Sequence, residues 1–301
     1  MAVYTYINNQ ELTKHLNNYE IGKLKKFDEI KEGVENSNFK IETENKVYIL
    51  TIYEKRVAQD DLPYFIDLMI HLSEKEFFSP NPIKSKSGKY IEKFKNKNSA
   101  LISFLYGKQI ISPKNSHCFE LGKSLSQMHM ATQDFKKFRQ NSLGQESWKI
   151  LFENCVRNKN LFLKKNEINF IYKTLSLLEN HWPKHLPVGQ IHGDLFKDNV
   201  FFHKNKVSGI IDFYFSCTDF LSYDLAVCIN DWCFNKEGEY LEKNTQSLIE
   251  GYEKIRRLDK NEIKSIPILT LGASVRFFLT RLYDWINTPQ NANVNKKNPM
   301  E

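Results

Sequence analysis

The chain has 301 residues, of which 41% are hydrophobic and 26% charged, values that are ordinary for a globular protein. No stretch reaches the roughly 20 apolar residues that a membrane span needs, and the opening MAVYTYINNQELTKHL lacks the layout of a signal peptide. The net charge of +7 comes from lysines interspersed with acidic residues, so we expect a cytoplasmic protein whose partners are neither a membrane nor nucleic acid.

The first third of the chain predicts a small sheet with one helix. In NFKIETENKVYILTIYE, alternating apolar residues predict two strands joined by a turn at Glu44 and Asn45. A helix is expected from Leu62 to Leu72, with Pro63 near its start, where proline is tolerated. SPNPIKSKSGKYIEKF and ALISFLYGK each predict one further strand, and a glycine ends the second.

After Gly107 the pattern changes to helices. HCFELGKSLSQMHMAT, EINFIYKTLSLLENHW and SIPILTLGASVRFFLTRLYDWI each carry an apolar stripe at helical spacing. Between the last two lies a segment from Gln190 to Asp212 with two strand-like pieces, NVFFHK and KVSGIIDFYF. The tail NTPQNANVNKKNPME is polar and lacks periodicity, so we expect it to be mobile.

The segment HGDLFKDN, followed by GIIDFY, contains the strongest functional signal. Phosphoryl transfer from ATP needs a carboxylate beside the attacking hydroxyl and oxygen ligands that hold Mg²⁺. Protein kinases supply these groups with His-x-Asp-x-x-x-x-Asn and, after an apolar strand, Asp-Phe. Here the matching residues are His192, Asp194, Asn199 and Asp212. A lone aspartate in a loop usually caps a turn, but the joint agreement of spacing, residue type and flanking strands favours phosphoryl transfer.

Four other polar residues are predicted to have supporting roles. Asp198 occupies an unspecified position of the motif and fits a surface or loop-supporting acid. Asp224 begins the helix-like run SYDLAV, where an N-terminal or loop-anchoring role is expected. We expect His192 to help hold the loop and His129 to satisfy hydrogen bonds in the core.

IHGDLFKDNVFF and IIDFYFS resemble the aminoglycoside-phosphotransferase-like kinases, a branch of the protein-kinase-like fold that acts on small molecules. The blocks GVENSNFKI, YILTIYEKR, LGKSLSQMH and SVRFFLTRLYDW narrow the resemblance to the homoserine kinases of this branch, over nearly the whole chain. The implied fold class is α+β, two-lobed and protein-kinase-like, with a small antiparallel-sheet N-lobe that has one helix and a larger, mainly helical C-lobe. We expect a nucleotide-binding lobe at 1–101, a hinge at 102–107, a catalytic and substrate lobe at 108–288 and a polar tail at 289–301.

The resemblance also implies an activity and its cofactors. ATP and L-homoserine would give ADP and O-phospho-L-homoserine, with Mg²⁺ required, as a step of threonine biosynthesis. Asp194 would be the catalytic base, and Asn199 and Asp212 would hold the metal ion.

Two segments match the nucleotide-binding parts of the family. The residues implied are Gly33, Asn36 and Ser37 in the phosphate loop, and Ser103, Phe104 and Leu105 in the hinge. One departure concerns the third strand, where kinases of this fold usually place a lysine or arginine that holds the α- and β-phosphates. Thr51 stands in that position here.

The acceptor site is less sharply marked by the sequence. Arg276 and Arg281 are candidates for the substrate carboxylate, because a guanidinium can bind both of its oxygens, but an ion pair with Asp284 explains them equally well. Tyr214 and Asp231 are candidates for lining the acceptor pocket, although core packing accounts for aromatic residues there as readily.

Two alternatives to homoserine phosphorylation remain open at this stage. A kinase of choline, ethanolamine or an aminoglycoside would keep the fold and change the acceptor, and acids such as Asp219 and Glu237 give no clear cluster for a polycation. A nucleotide-binding pseudokinase would explain Thr51. The intact set of Asp194, Asn199 and Asp212 argues against it, since binding alone needs no positioned base.

Overall fold

The computed structural model describes residues 5–30, 36–54, 58–288 and 297–300. Within them the chain forms two compact units. The first comprises the described residues up to Lys108 together with Ser208–Tyr214, and the second comprises Gln109–Val207 and the described residues from Phe215 onward. Gly33 and most of the predicted polar tail lie outside the described residues.

The first unit is built on a five-stranded antiparallel sheet with strand order β1-β2-β3-β5-β4. Its strands are β1 (Leu24–Ile30), β2 (Ser37–Thr43), β3 (Val47–Ile52), β4 (Glu92–Phe94) and β5 (Lys97–Ser103). Its helices are α1 (Asn9–Leu16) and α2 (Leu62–Glu74), the second of which has a proline in its first turn. The predicted strand pair, the helix that follows it and the two later strands are confirmed.

The two faces of β2 differ because its apolar residues alternate with polar ones. Phe39 and Ile41 are fully buried and join Leu50 of β3 and Leu12 of α1 in one hydrophobic cluster. The residues between them are half-buried, so the other face of the strand presents polar side chains such as Lys40. The sheet therefore has one core face and one polar face.

The prediction of one helix and four strands for this region was incomplete, because the structure adds α1 and β1. The sequence of α1 is mostly polar, and it begins with a capping box in which Asn8 and Glu11 satisfy each other's backbone amides. In β1 the half-buried residues are Leu24, Phe27 and Ile30, with an irregularity near the start, so strict alternation is absent. The predicted α+β class, with a small antiparallel sheet and a mainly helical remainder, is confirmed.

The second unit is mainly helical. Its helices are α3 (Asn115–Ala131), α4 (Gln145–Val156), α5 (Lys165–His181), α6 (Leu221–Trp232), α7 (Glu242–Glu253) and α8 (Lys260–Asn287). Strand β6 (Val188–Ile191) pairs antiparallel with β9 (Cys217–Phe220). Strand β7 (Val200–His203) forms a hairpin with β8 (Lys206–Ile210), whose residues from Ser208 onward are counted with the first unit. Lys204 and Asn205 both have positive φ, as a two-residue hairpin turn requires.

Helix α8 runs through the core of the second unit. Leu269, Ala273, Leu279 and Leu282 are fully buried, and the helix packs against α4 and α6. By length and composition alone, α8 is long and apolar enough to cross a membrane. The same composition is expected of a core helix, and α8 contributes its apolar side to the largest hydrophobic cluster of this unit.

Helices α3 and α7 approach each other closely at two glycines. A Cβ atom on Gly122 would lie 2.0 Å from the carbonyl oxygen of Leu248, and one on Gly251 would lie 2.0 Å from that of Phe119. The obstructing atoms belong to backbone, so no side-chain rotation can make room. The contact therefore requires both residues to lack a side chain.

Gly122→Ala is expected to lower the free energy of unfolding by about 1–3 kcal/mol, because the added methyl forces the two backbones apart. This loss outweighs the gain of up to about 1 kcal/mol that alanine brings to a helix interior. Urea denaturation is the measurement, and Gln127→Ala at a half-buried site of the same helix is the control. Equal or higher stability of Gly122→Ala would contradict the close contact.

Candidate active site

The predicted catalytic residues lie in the loop between β6 and β7. The Nδ2 atom of Asn199 donates to the backbone oxygen of Asp194 at 2.8 Å and to its carboxylate Oδ2 at 3.2 Å. Gly193 has φ of +75°, and a Cβ there would lie 3.0 Å from the carbonyl oxygen of Phe215. A glycine at this position thus allows the loop to turn just before Asp194.

One face of α6 holds this loop in place. Four residues at helical spacing contribute, namely Asp224, Cys228, Asp231 and Trp232. The indole Nε1 of Trp232 donates to the carbonyl oxygen of Leu195 at 3.0 Å, and the Cys228 thiol lies 3.8 Å from the same oxygen. The carboxylate of Asp231 accepts the backbone amide of Lys197 at 2.6 Å. Successive loop residues are therefore fixed from a single rigid helix.

Asp224 makes the most buried of these contacts. Its Oδ2 accepts the amide of His192 at 2.7 Å, and its Oδ1 accepts the amide of Gly193 at 2.9 Å. The Nε2 atom of His129 lies 3.2 Å from Oδ2. Burial alone would raise the pKa of Asp224, but the interactions with His129 and His192 hold it below its ordinary value. The predicted anchoring role of Asp224 is confirmed, and it acts on the residues directly before the candidate base.

A chain of polar contacts extends from Asp224 through His129 to α7 and the start of α8. The Nδ1 atom of His129 is 2.8 Å from the Tyr252 hydroxyl, to which Arg256 donates at 3.2 Å. Arg256 also pairs with the buried Glu262 at 3.0 Å. His129 thus satisfies hydrogen bonds in the core, as predicted, and it links the loop anchor to α7 and α8.

The candidate base Asp194 is mostly enclosed, with 18% of its side chain exposed. Burial raises its pKa above the ordinary aspartate value, and the positive charge of Arg276 opposes that shift. The Nη1 atom of Arg276 lies 3.6 Å from Asp194 Oδ1 and donates to the carbonyl oxygen of Gly193 at 2.9 Å. Its guanidinium also lies over the ring of Phe277, 4.0 Å from the centroid. Arg276 therefore braces the loop and tunes the carboxylate.

The other two polar residues of the motif, Asp198 and His192, have contacts that agree with their predicted supporting roles. Asp198 is exposed, its carboxylate lies 3.2 Å from Lys297 Nζ, and its backbone oxygen accepts a hydrogen bond from Gln109. This fits the predicted surface or loop-supporting role. The Nδ1 atom of His192 accepts the backbone amide of Asp194 at 3.3 Å, in keeping with the loop-holding role expected of it.

The two predicted metal ligands have side chains suited to Mg²⁺. The amide nitrogen of Asn199 is bonded to Asp194, which leaves the carbonyl end of the same amide as the oxygen ligand that Mg²⁺ prefers. Asp212, in the first unit, has φ of +67°, a left-handed conformation that is uncommon for a residue other than glycine. Backbone strain of this kind concentrates at functional sites.

The predicted nucleotide residues lie at two places in the first unit. Asn36 and Ser37 are buried at the start of β2, where Ser37 Oγ donates to Glu54 at 2.8 Å and Asn36 Oδ1 accepts the amide of Glu54 at 3.3 Å. Ser103 ends β5 and pairs with Asn81, its amide donating at 2.9 Å.

The other two residues predicted for the hinge, Phe104 and Leu105, follow Ser103 directly. The amide of Phe104 donates to Val47 at 3.3 Å, and Lys40 Nζ lies 5.5 Å from the centroid of its ring. Leu105 follows as a half-buried residue outside any strand. The roles of these residues in nucleotide binding stay predictions.

Thr51 lies on the polar face of the sheet. Its hydroxyl donates to Asn38 Oδ1 at 2.8 Å, across the paired strands β2 and β3. On the same face, Lys40 pairs with Glu42 at 2.7 Å. The strand position usually given to a lysine is thus occupied by a threonine whose hydroxyl is bonded within the sheet.

Of the four predicted substrate residues, one lies in the first unit and three lie in the second. Tyr214 is in the first unit, where its hydroxyl lies 3.2 Å from that of Tyr53, and burial raises its pKa to about 12. Asp231 and Arg276 contact the catalytic loop as described, and Arg281 is half-buried further along α8. Substrate contact by any of the four stays a prediction.

Sequence reasoning missed a small cavity in the helical unit that adjoins the loop and has room for about one water molecule. Its walls include Arg139, Asn141, Gly193, Tyr223 and Arg276. The first two come from a connecting segment, FRQNSLG, that has no helical or strand periodicity. The available signal was an isolated arginine in a chain whose basic residues are mostly lysine.

The five-stranded sheet, the helical unit and the loop bearing Asp194 and Asn199 define a kinase of the aminoglycoside-phosphotransferase-like class. A solved structure of the amicoumacin kinase hAmiN, in complex with AMP-PNP, Ca²⁺ and Ami, has the same fold with a TM-score of 0.76. It is 15% identical in sequence, and the match covers 95% of this chain and 90% of the other.

Sequence comparison defines the family. The chain matches the phosphotransferase enzyme family over residues 26–258. It is 47% identical to the homoserine kinase of Rhizobium meliloti (strain 1021) and 46% identical to that of Sinorhizobium medicae (strain WSM419). Each match covers all of this chain and 92% of the relative. The chain therefore belongs to the phosphotransferase enzyme family and, within it, to the group of the homoserine kinases.

Asp224→Asn is expected to lower the stability of the helical unit by about 2–4 kcal/mol, because an amide replaces a buried charged acceptor of backbone amides. Urea denaturation followed by tryptophan fluorescence measures this, since Trp148, Trp182, Trp232 and Trp285 all lie in that unit. Asp198→Asn, an exposed position in the motif, is the control and is expected to change stability little.

The destabilisation in Asp224→Asn is also expected to depend on pH. A folded-state pKa below the unfolded value, which is about 3.9, stabilises the protein fully above that value and loses its effect as pH falls through the lowered pKa. The difference between wild type and variant should therefore be constant from pH 8 to about pH 5 and shrink below about pH 4. A difference that stays the same below about pH 4 would show that the carboxylate charge does not contribute to stability.

Proposed function

We propose that this protein transfers the γ-phosphoryl group of ATP to the side-chain hydroxyl of L-homoserine, which yields ADP and O-phospho-L-homoserine. The observation that carries the proposal is the built loop, in which Asp194 is enclosed, bonded to Asn199 and braced by Arg276. The acceptor is taken from the relatives named homoserine kinase, which align with the entire chain. We place this reaction in threonine biosynthesis and in the cytoplasm.

Asp194 is assigned to orient the substrate hydroxyl and to accept its proton. Its burial raises its pKa, which makes its carboxylate a stronger proton acceptor than an exposed aspartate would be. The positive charge of Arg276 opposes that rise and favours the ionised form of the carboxylate. The anchors on α6 keep the loop from moving when the substrate enters.

Asn199 and Asp212 are assigned to hold Mg²⁺ through their side-chain oxygens. When bound, Mg²⁺ neutralises charge on the phosphates of ATP. For the nucleotide we assign Gly33, Asn36 and Ser37 to the phosphates. The hinge backbone at Ser103, Phe104 and Leu105 is assigned to the adenine.

The hypothesis that this protein phosphorylates choline or an aminoglycoside is disfavoured, because three acids of the helical unit already accept hydrogen bonds from the protein itself. Asp224 and Asp231 accept backbone amides of the catalytic loop. Asp219 accepts Asn141 Nδ2 at 2.7 Å and the amide of Phe220 at 2.7 Å. These carboxylates serve the protein's own structure, whereas a polycationic substrate needs acids that face the acceptor.

Mg²⁺-dependent ADP release should be strong with L-homoserine and weak with L-serine, L-threonine, choline, ethanolamine and kanamycin. A coupled assay with purified protein measures each acceptor. Strong release with a different acceptor would keep the phosphotransferase mechanism and reject homoserine as substrate. Absence of release with every acceptor, while ATP still binds, would favour a pseudokinase.

Asp194→Asn is expected to lower kcat by about 10²–10⁴-fold while leaving ATP binding intact, because the variant removes the base and keeps both proposed metal ligands. Single-turnover kinetics and ATP titration measure the two effects separately. Asp198→Asn removes an exposed acid four residues away and should keep near-normal kcat. Near-normal turnover by Asp194→Asn would show that another group accepts the proton.

A further inference from the structure

Residues 297–300, the described part of the predicted polar tail, lie against the catalytic loop within the helical unit. The Nζ atom of Lys297 is 3.2 Å from Asp198 Oδ2 and 5.8 Å from the centroid of the Phe196 ring. Phe196 and Asp198 both lie between Asp194 and Asn199, the proposed base and a proposed metal ligand. A cation 99 positions along the chain from Asp198 is therefore placed beside the proposed site of chemistry.

The backbone beside Lys297 is fixed, whereas its side chain faces solvent. Pro299 is buried, and the amide of Met300 donates to Asn298 Oδ1 at 3.0 Å, which closes a turn. The side chain of Lys297 is 55% exposed, so a ligand that enters from solvent can reach its ammonium group. The segment therefore holds a mobile charged group at a defined place on the loop.

We propose that the Lys297 ammonium contacts the γ-phosphoryl group of ATP as this group passes to the acceptor hydroxyl, an inference that rests on the proposed kinase function. In this step the hydroxyl oxygen forms a bond to phosphorus, and the bond from phosphorus to the β,γ-bridging oxygen breaks. ADP leaves with the electron pair of that bond, and the hydroxyl proton goes to Asp194. Lys297 forms no covalent bond, and its charge stabilises the negative charge on the oxygens of the transferred group.

The distances that the reaction requires bring the phosphoryl group close to Lys297. A general base lies about 3 Å from the hydroxyl oxygen, and that oxygen approaches phosphorus to about 3–3.5 Å. The transferred group therefore passes within about 7 Å of the Asp194 carboxylate. The charge of Lys297 also reaches this carboxylate, since burial raises the pKa of Asp194 and Lys297 is one of the positive charges that oppose the rise. The flexible four-carbon stem of a lysine allows its ammonium to move toward such a group.

The contact between Lys297 and Asp198 is one that a phosphate can replace. The side chain of Asp198 is 54% exposed, and an exposed ion pair contributes little to stability because water screens it. A phosphate group carries more negative charge than a carboxylate and offers three strong acceptor oxygens. Lys297 can therefore exchange Asp198 for the phosphoryl group while Asp198 becomes hydrated.

Two other cations at the loop are paired with acids that are mostly enclosed. Arg276 is buried and lies 3.6 Å from Asp194, whose side chain is 18% exposed. Lys197 lies 3.5 Å from Asp231, whose side chain is 22% exposed. Moving either cation would leave a poorly solvated carboxylate without its counter-charge. Lys297 can change its partner at a lower cost than Arg276 or Lys197.

The threonine at position 51 increases the need for a cation from another element. Kinases of this fold usually place a lysine or arginine there, which holds the α- and β-phosphates. The Thr51 hydroxyl is neutral and donates to Asn38 Oδ1 within the sheet. A cation on the γ-phosphoryl group supplies part of the positive charge that Thr51 does not provide.

Lysine acetylation followed by mass spectrometry tests the contact in the wild-type protein and without an acceptor. The protein is acetylated in the presence of Mg²⁺ with ADP or with AMP-PNP, an ATP analogue that retains a γ-phosphoryl group. Acetylation of Lys297 should be about 5-fold or more slower with AMP-PNP, because an ammonium bound to phosphate does not react as a nucleophile. Lys149, which is exposed on α4, is the control and should react equally with both nucleotides. Equal rates at Lys297 would overturn the inference.

Lys297→Met removes the charge and keeps an unbranched side chain. Its kcat with L-homoserine should fall by about 10–100-fold while the KM for L-homoserine changes little, because the charge acts on the transferred group. The comparison is made on the alkaline plateau of the pH profile of kcat, so that a changed pKa of Asp194 does not contribute. Lys297→Arg keeps the charge and should recover most of the lost kcat, and Lys149→Met should behave as wild type.

Asp198→Asn tests whether Lys297 serves only to neutralise Asp198. In that case the double variant with Lys297→Met would regain the wild-type kcat. Contact with the phosphoryl group predicts that Asp198→Asn alone keeps near-normal kcat and that the double variant is as slow as Lys297→Met. Recovery of kcat in the double variant would overturn the inference.

Failure of the inference and failure of the proposed function give different results. Wild-type turnover of L-homoserine with an unchanged kcat in Lys297→Met would overturn the role of Lys297 and leave the kinase function in place. Absence of L-homoserine turnover by wild type would overturn the proposed acceptor, while protection of Lys297 by AMP-PNP would still support the phosphoryl contact. A wild-type protein that binds neither nucleotide would overturn both. Should Lys297→Met fail to fold, the acetylation of wild type decides.

Discussion

The hydrogen bonds from the amides of His192 and Gly193 to the Asp224 carboxylate are the constraint on which the site depends. They fix the two residues that precede Asp194, and they are made from α6, a helix whose other inward residues hold the next stretch of the loop. A buried carboxylate can accept several donors at once without a side-chain rearrangement. The position of the candidate base is therefore set by the helical core and only secondarily by the loop's own sequence.

Much of the fold and of the catalytic motif could be predicted because their signals are local. Alternation along β2 and β3 gives the sheet, and the spacing of Asp194 and Asn199 gives the loop. The edge strand β1 and the short helix α1 could not be predicted in this way, since one lacks alternation and the other is mostly polar. The contacts of His129 with Tyr252 and Asp224 join residues about a hundred positions apart, and no local pattern records such pairing.

Arginine is used in the helical unit where a fixed positive charge is needed beside the loop. Arg276 combines a hydrogen bond, an ion-pair distance to Asp194 and stacking on aromatic rings, which a lysine could not do simultaneously. Arg139 is held by Thr218 of β9, whose amide donates to its carbonyl oxygen, and its guanidinium donates to the carbonyl oxygen of Ser216. The net charge of +7 comes mainly from lysines, whereas these two arginines each have specific contacts beside the loop. The sequence singled out Arg276 as a candidate for the substrate carboxylate, but it could not give the contacts of either arginine, because their neighbours come from other elements.

The central claim is that phosphoryl transfer occurs to the side-chain oxygen of L-homoserine at this loop. Phosphorus NMR of a reaction containing the protein, ATP, Mg²⁺ and L-homoserine tests it directly, because the spectrum identifies the atom that receives the phosphoryl group. The account predicts a phosphomonoester resonance that couples to the protons of the terminal methylene and grows in step with ADP. Growth of inorganic phosphate alone, or a phosphoryl group on another atom, would contradict it.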